Sequence, residues 1–236
     1  MELSNKPKSI LKPLHYLLPL GLLISASANA AFIGYQQEFF HSDNAYREYS
    51  TKVTLGANYK RHGFYIQPVM AGLPFEDLAL KTVDVSYSYH FRLNKDWSVI
   101  PGVVNTMTSS AAVYKPQVMA EYRLTDNWFT RLRYRHVFRD NAEPGIKTEQ
   151  TSQVTAHFGY RDREGLMAHI YGSYYKGHDD QWLYNKTDEN WEANLFLGYN
   201  LTEWSLRPYV EFSNVLVRTN SDERQLRSRV GVNFFF

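Results

Sequence analysis

The chain has no cysteine among its 236 residues. Disulfides, thiolate metal sites and cysteine nucleophiles are therefore excluded. It is also short of net charge, with 26 Lys and Arg against 24 Asp and Glu leaving +2. That balance points to no nucleic-acid partner, so the placement of charges matters more than their total. Past the N-terminus no long apolar run exists, and the mean hydropathy is −0.46. A helical membrane protein is excluded by this. A membrane barrel is not, because only alternate residues of a barrel strand touch lipid.

Aromatic residues, by contrast, are abundant at 16% of the chain, led by 18 tyrosines. Such a load suits strands that carry aromatic girdles at both membrane interfaces. The N-terminus has a basic stretch (Lys6, Lys8, Lys12), an apolar run from Leu14 to Ile24, and the small residues Ala28-Asn29-Ala30. This pattern predicts a cleavable signal peptide over residues 1–30, with Ala31 opening the mature chain. Residues 31–236 then form one domain.

That domain reads as strands of alternating polarity. Val230, Val232, Phe234 and Phe236 oppose Arg227, Arg229, Gly231, Asn233 and Phe235. Val83, Val85, Tyr87, Tyr89 and Phe91 oppose Asp84, Ser86, Ser88, His90 and Arg92. Val118, Ala120 and Tyr122 oppose Gln117, Glu121 and Arg123. Connections alternate too. Short turns are expected at Lys60–Gly63, Asn94–Asp96, Thr125–Asn127, Asp162–Gly165 and Leu201–Glu203. Longer loops are expected at His41–Ala45, Gly72–Leu78, Thr106–Ala112, Asp140–Ile146, Lys176–Lys186 and Thr219–Arg224. The predicted fold is all-β: a closed antiparallel transmembrane β-barrel of about 12 strands. Both termini are expected on the periplasmic side of a Gram-negative outer membrane. A soluble sandwich or lipocalin-like barrel would show the same alternation with the faces exchanged. The signal peptide, the aromatic load and the terminal Phe234-Phe235-Phe236 favour the membrane reading.

If the polar face is the lumen, the strand from Trp128 is the most informative. Arg131, Arg133, Arg135 and, beyond Val137, Arg139 share one face; Leu132, Tyr134, His136 and Phe138 share the other. Facing lipid near the midplane, each arginine would cost about 2–4 kcal/mol. Facing water, they form a ladder with steps of about 7 Å. Arg207, Arg227 and Arg229 add to it from other strands, with Lys115 and Arg123, and Arg92 near the periplasmic end. Asp84, Glu121, Glu192 and Glu211 share the inward parity. They either hold arginine heads in place or set a transverse field. Arginine forks suit carboxylates, and basic rings mark anion pores. A plugged structural or adhesive barrel stays open as the alternative, motivated by the long loop from Lys176 to Lys186 with Trp182 and Tyr184. Catalysis is not expected: His41-Ser42-Asp43-Asn44 and His178-Asp179-Asp180 are loop clusters. His157 and His169 show no metal-ligand spacing. No catalytic residue, metal or cofactor is assigned.

Several segments carry a family resemblance. They are Arg131-Leu132-Arg133-Tyr134-Arg135, Arg207-Pro208-Tyr209-Val210-Glu211-Phe212 and Glu223-Arg224-Gln225-Leu226-Arg227-Ser228-Arg229-Val230-Gly231-Val232. Trp97-Ser98-Val99-Ile100-Pro101-Gly102 and Tyr114-Lys115-Pro116 join them. Their order and spacing resemble the oligogalacturonate-specific porin family, which includes the sialic-acid-induced porin. The resemblance implies a monomeric, narrow, twelve-stranded channel with two basic tracks, passing acidic sugars or oligosaccharides. The matching positions are Lys115, Arg131, Arg133, Arg135, Arg207, Arg227 and Arg229. Lys115 stands where members often have arginine, which keeps the charge but loses the fork. The implied partners are acidic sugars or oligosaccharides, alongside outer-membrane lipid.

Overall fold

The computed structural model of the chain describes residues 30–42, 49–72, 78–143, 145–218 and 221–236. The expected signal peptide lies outside them except for Ala30, which opens the first strand. Parts of the expected loops at His41–Ala45, Gly72–Leu78, Asp140–Ile146 and Thr219–Arg224 also lie outside.

The strands are β1 (Ala30–Phe40), β2 (Tyr49–Tyr59), β3 (His62–Ala71), β4 (Ala79–Tyr89), β5 (Phe91–Arg92), β6 (Trp97–Thr108) and β7 (Ala111–Arg123). They continue with β8 (Trp128–Asn141), β9 (Glu149–Arg161), β10 (Leu166–Gly177), β11 (Glu189–Tyr199), β12 (Leu206–Leu216) and β13 (Arg224–Phe235). β4 and β5 are one stave interrupted at His90. Both pair with β6, and the register is unchanged across the gap, from Ser88↔Gly102 to Phe91↔Val99. Each strand pairs antiparallel with its sequence neighbour, β4 meets β6, and β1 closes on β13. The result is a closed barrel of twelve staves with no free edge, as a bilayer requires of strands. A strand of about 11 residues at about 3.4 Å per residue, tilted by about 45°, spans about 26 Å, matching the apolar band of such barrels.

Burial decides which face is inside. The largest fully buried side chains are Glu38, Thr155, Ser50 and Ser213, all polar. Many large apolar side chains are exposed along the strands, among them Leu132, Ile170, Val230 and Leu226. This is the inverse of a soluble barrel, so the soluble alternative fails. Near the short turns, Trp97 packs on Tyr122 (4.6 Å) and Trp128 on Phe158 and Tyr160 (both 5.0 Å). At the other end Tyr114, Tyr134, Tyr174 and Trp191 face out. These are the two aromatic girdles.

Two expectations need correction. Thr106–Ala112 is not a longer loop: β6 runs to Thr108 and β7 begins at Ala111. The Thr108 hydroxyl accepts the N–H of Ser110 (3.1 Å) and of Ala111 (2.8 Å). Hydroxyl side chains close tight turns in this way, so the polar run marks a turn here. The stretch at Leu201–Glu203 is longer than a simple turn. It carries a 3₁₀ turn at Thr202–Trp204, closed by Ser205 at φ 54°.

Candidate functional site

The lumen inherits its chemistry from strand alternation. On β8, Leu132 and Tyr134 are 56% and 46% exposed on the outside. Arg131, Arg133, Arg135 and Arg139 therefore stand on the inner face, along the height of the wall. Their neighbours differ. Arg131 meets its register partner Glu121 at 2.5 Å and lies over the Phe129 ring at 4.6 Å. Arg139 donates to Asn141 (3.2 Å) and pairs with Glu149 (3.7 Å). The middle pair has only neutral partners. Arg133 donates to the Thr155 hydroxyl (3.1 Å), and its Nε is buried without a partner. Arg135 donates twice to the Gln117 carbonyl oxygen, at 2.9 and 2.6 Å. Neither forms an ion pair among the described residues.

β13 stands across the lumen, separated from β8 by four staves on one side and six on the other. Its lumenal arginines, Arg227 and Arg229, are paired with carboxylates. Arg229 donates to Glu38 (2.5 Å) and to Glu211. Lys52 and Arg227 reach Glu38 at 3.2 and 3.8 Å. Glu38 is 1% exposed. A buried carboxylate needs such partners, since an isolated charge there would be expelled or neutralised.

The remaining expected residues are scattered. Lys115 shares the inner face of β7 with Gln117 and forms no ion pair among the described residues. Arg207 lies over Phe235 at 4.6 Å, with its Nε buried and unpartnered. Arg123 is exposed at the short-turn rim. Arg92 is exposed there too and donates to the Asn94 carbonyl in its own turn (3.2 Å). Among the acids, Asp84 accepts from the Thr106 hydroxyl and Glu192 from Tyr175 (3.1 Å). Sequence reasoning missed Glu38, Lys52, Glu149 and Arg161. The guanidinium of Arg161 lies 5.6 Å from the Phe129 ring.

Aromatic side chains are laid flat against the wall. Phe32, Phe129 and Tyr209 are register partners of Gly56, Gly159 and Gly231. A Cβ on Gly231 would collide with the Tyr209 ring, and one on Gly56 would collide with Phe32. The glycines let the rings lie down, and Tyr209 then donates to Gln36 (3.0 Å). Beside them is a cavity of about 340 Å³ lined by Gln36, Thr54, Tyr65, Gln67 and Asn233. The side chains that line this cavity carry no charge.

No group of three or more metal-ligating side chains occurs among the described residues. His157 stacks on Tyr171 (4.7 Å) and His169 on Phe196 (4.6 Å). His178 sits at the long-loop rim, bonded to Ser152 (2.9 Å). Of His41-Ser42-Asp43-Asn44, the last two lie outside the described residues. His41 bonds Ser228 at 2.9 Å. In the long loop, Lys176 donates to Asp188 (2.8 Å) and Glu189 (3.1 Å). Its hydrogen bond holds the Asp188 carboxyl below the ordinary value.

A twelve-stave barrel with a charged lumen has relatives of known family. The model of the oligogalacturonate-specific porin protein KdgM matches residues 24–236. The chain belongs to this porin family. It is an outer-membrane channel of the Gram-negative type, and not an enzyme. The uncharacterized protein YiiY of Salmonella typhimurium is 29% identical over 233 residues, covering 95% of this chain and 97% of that protein. The oligogalacturonate-specific porin KdgM of Dickeya dadantii is 26% identical over 233 residues, covering 93% and 97%. A solved KdgM porin in complex with disordered oligogalacturonate has a TM-score of 0.67 at 22% identity, covering 87% of this chain and 99% of that one.

Proposed function

We propose that this porin is a passive, anion-selective channel for acidic sugars or short acidic oligosaccharides. The observation that carries the reading is the pair Arg133 and Arg135 on the inner wall, which form no ion pair among the described residues and whose hydrogen-bond partners are neutral. Weak, successive contacts with guanidinium forks let a carboxylate-bearing solute enter and still leave. Arg131 and Arg139 extend the ladder with part of their charge offset by Glu121 and Glu149. Lys115, Arg207 and Arg123 add free charge, and Arg92 adds it at the short-turn mouth. Arg227 and Arg229 form the opposite track, which Glu38 and Glu211 largely neutralise. The lumen is thus asymmetric, with Arg133 and Arg135 facing a track whose arginines are paired with carboxylates. Oligogalacturonate, present in the solved KdgM complex, is a chain of carboxylate-bearing sugars, the kind of solute that such a ladder suits.

In the same reading residues 1–30 are a cleaved leader, both termini are periplasmic, the long loops face outside, and the channel acts as a monomer. No cofactor takes part. Purified protein in a planar bilayer is expected to conduct and to prefer anions. Cation preference, or no conductance, would reject the reading. The Glu38 network motivates a second reading, a plugged structural barrel, and absent conductance would favour it.

A further inference from the structure

The outer wall is not uniformly bulky. One row of register partners runs Leu132, Ala156, Gly172, Ala193, Asn214 and Leu226 around β8 to β13. Ala156, Gly172 and Ala193 carry a methyl group or nothing. The next row toward the long loops holds Tyr174 and Trp191, and the next row toward the short turns holds Ile170, Leu195 and Phe212. Over the small residues, bounded by Ile170, Leu195, Phe212 and Leu226, lies a groove of about 690 Å³ on the lipid-facing side. That volume falls within the range of about 300–1,000 Å³ typical of ligand sites.

Gly172 shows that the groove is not a by-product of wall packing. A glycine inside a strand weakens it, so its presence asks for a reason. Its φ is not positive. A Cβ there would meet nothing nearer than the Glu192 carbonyl oxygen at 3.7 Å. The wall would accept a side chain; only the groove would lose by it.

One row beyond the groove toward the long loops, two residues from its lining residue Leu226, stands a cation. Arg224 faces outward with Leu226, and its guanidinium lies 3.9 Å over the Trp191 ring. It donates to Asn214 and to the Trp191 carbonyl. Its Nη1 makes one long contact, to Asn190 at 3.5 Å. No carboxylate pairs with it among the described residues, and the adjacent Glu223 turns to Arg218 instead (4.0 Å). The Arg224 Nη2 donates a second time, to the Asn214 carbonyl (3.3 Å), so one N–H on Nη1 is left over. A guanidinium with no carboxylate partner and one N–H to spare, at the aromatic level of a membrane, is suited to a phosphate.

We infer that this groove holds one acyl chain of a phosphorylated glycolipid of the outer leaflet, with its phosphate on Arg224. The inference rests on the proposed orientation, with the long loops outside, and not on what the lumen transports. Acyl chains gain little by leaving lipid for an apolar groove, since both are hydrocarbon. Affinity therefore comes chiefly from Arg224, and the groove selects by shape.

The test uses the mature protein refolded in lipid-free detergent, with bound lipid counted by native mass spectrometry. The probes are diphosphoryl lipid A, its dephosphorylated form, and phosphatidylglycerol, an anionic lipid of the opposite leaflet. Wild type should retain one lipid A and much less of the other two. Arg224→Gln should lower lipid A occupancy roughly tenfold, the loss of about one charge-assisted hydrogen bond. Gly172→Leu should lower it by filling the groove, while Gly172→Ala should not. Channel selectivity should be unchanged in all three, which separates this inference from the proposed transport. Equal lipid A retention by Arg224→Gln and wild type, or retention of phosphatidylglycerol as strong as that of lipid A, would overturn it.

Discussion

Removing Arg133 and Arg135 together should abolish most of the channel's preference for anions. In a water-like dielectric, a unit charge about 5 Å from a monovalent ion acts on it with about 0.8 kcal/mol. Screening at about 0.1 M salt, with a Debye length near 10 Å, leaves roughly 0.5 kcal/mol. Two such charges contribute about 1 kcal/mol for the anion and the opposite sign for the cation. The permeability ratio should therefore fall by about 2 kcal/mol, roughly thirtyfold, in Arg133→Gln with Arg135→Gln, and by roughly fivefold in Arg133→Gln alone. The assay is the reversal potential across a planar bilayer in a salt gradient, with far-UV circular dichroism to show that the barrel has folded. The control removes a matched pair. Arg131→Gln with Glu121→Gln deletes an ion pair of 2.5 Å and leaves the net charge unchanged, so the reversal potential should barely move. An unchanged reversal potential in the folded Arg133/Arg135 double variant would refute the reasoning.

Other outcomes follow from the same geometry. Glu38→Gln leaves Lys52, Arg227 and Arg229 facing each other, so it should destabilise the barrel by about 3–5 kcal/mol in urea unfolding and also raise anion preference. Gly231→Val should push Tyr209 off the wall, since a Cβ there collides with the ring; single-channel conductance should drop. In the rim loop, the Asp188 carboxyl has a lowered pKa through its bond from Lys176. The contact is complete above the ordinary carboxylate pKa and is lost as the pH falls through the lowered value. Hydrogen-exchange protection factors of the 178–188 backbone, corrected for the intrinsic exchange rate at each pH, should therefore fall on acidification below the ordinary carboxylate range.

Much of the barrel was legible because alternation is clean where it matters. On β8 each inner arginine is followed by an outer residue that is aromatic or aliphatic except at His136 and Asp140, and the end of β13 from Arg229 is as regular. The one register shift in the paired strands lies between Val69 and Met70 where β3 meets β4, so it leaves the arginine strands' parity alone. The Glu38 network was not legible. Gln36-Gln37-Glu38-Phe39-Phe40 does not alternate by polarity, because Gln37 stands on the outer face and is bonded by Thr51 at 2.7 Å. The Glu38 partner Arg229 is 191 residues away, brought near only by closure of β1 on β13. Parity tells which way an arginine points but not whether a carboxylate waits beside it. That is why the resemblance could imply two basic tracks without distinguishing them, whereas Arg227 and Arg229 are paired with carboxylates and Arg133 and Arg135 form no ion pair among the described residues. Loop length was misread at Thr108, where hydroxyls close a turn.

The most direct test of the central proposal is a competition series on channel current. Galacturonate oligomers of graded length would be compared with uncharged sugars of the same length. Acidic oligomers should interrupt the current at lower concentrations than neutral ones, with block strengthening as length grows and weakening in Arg133→Gln with Arg135→Gln. Equal block by neutral and acidic sugars would contradict the account.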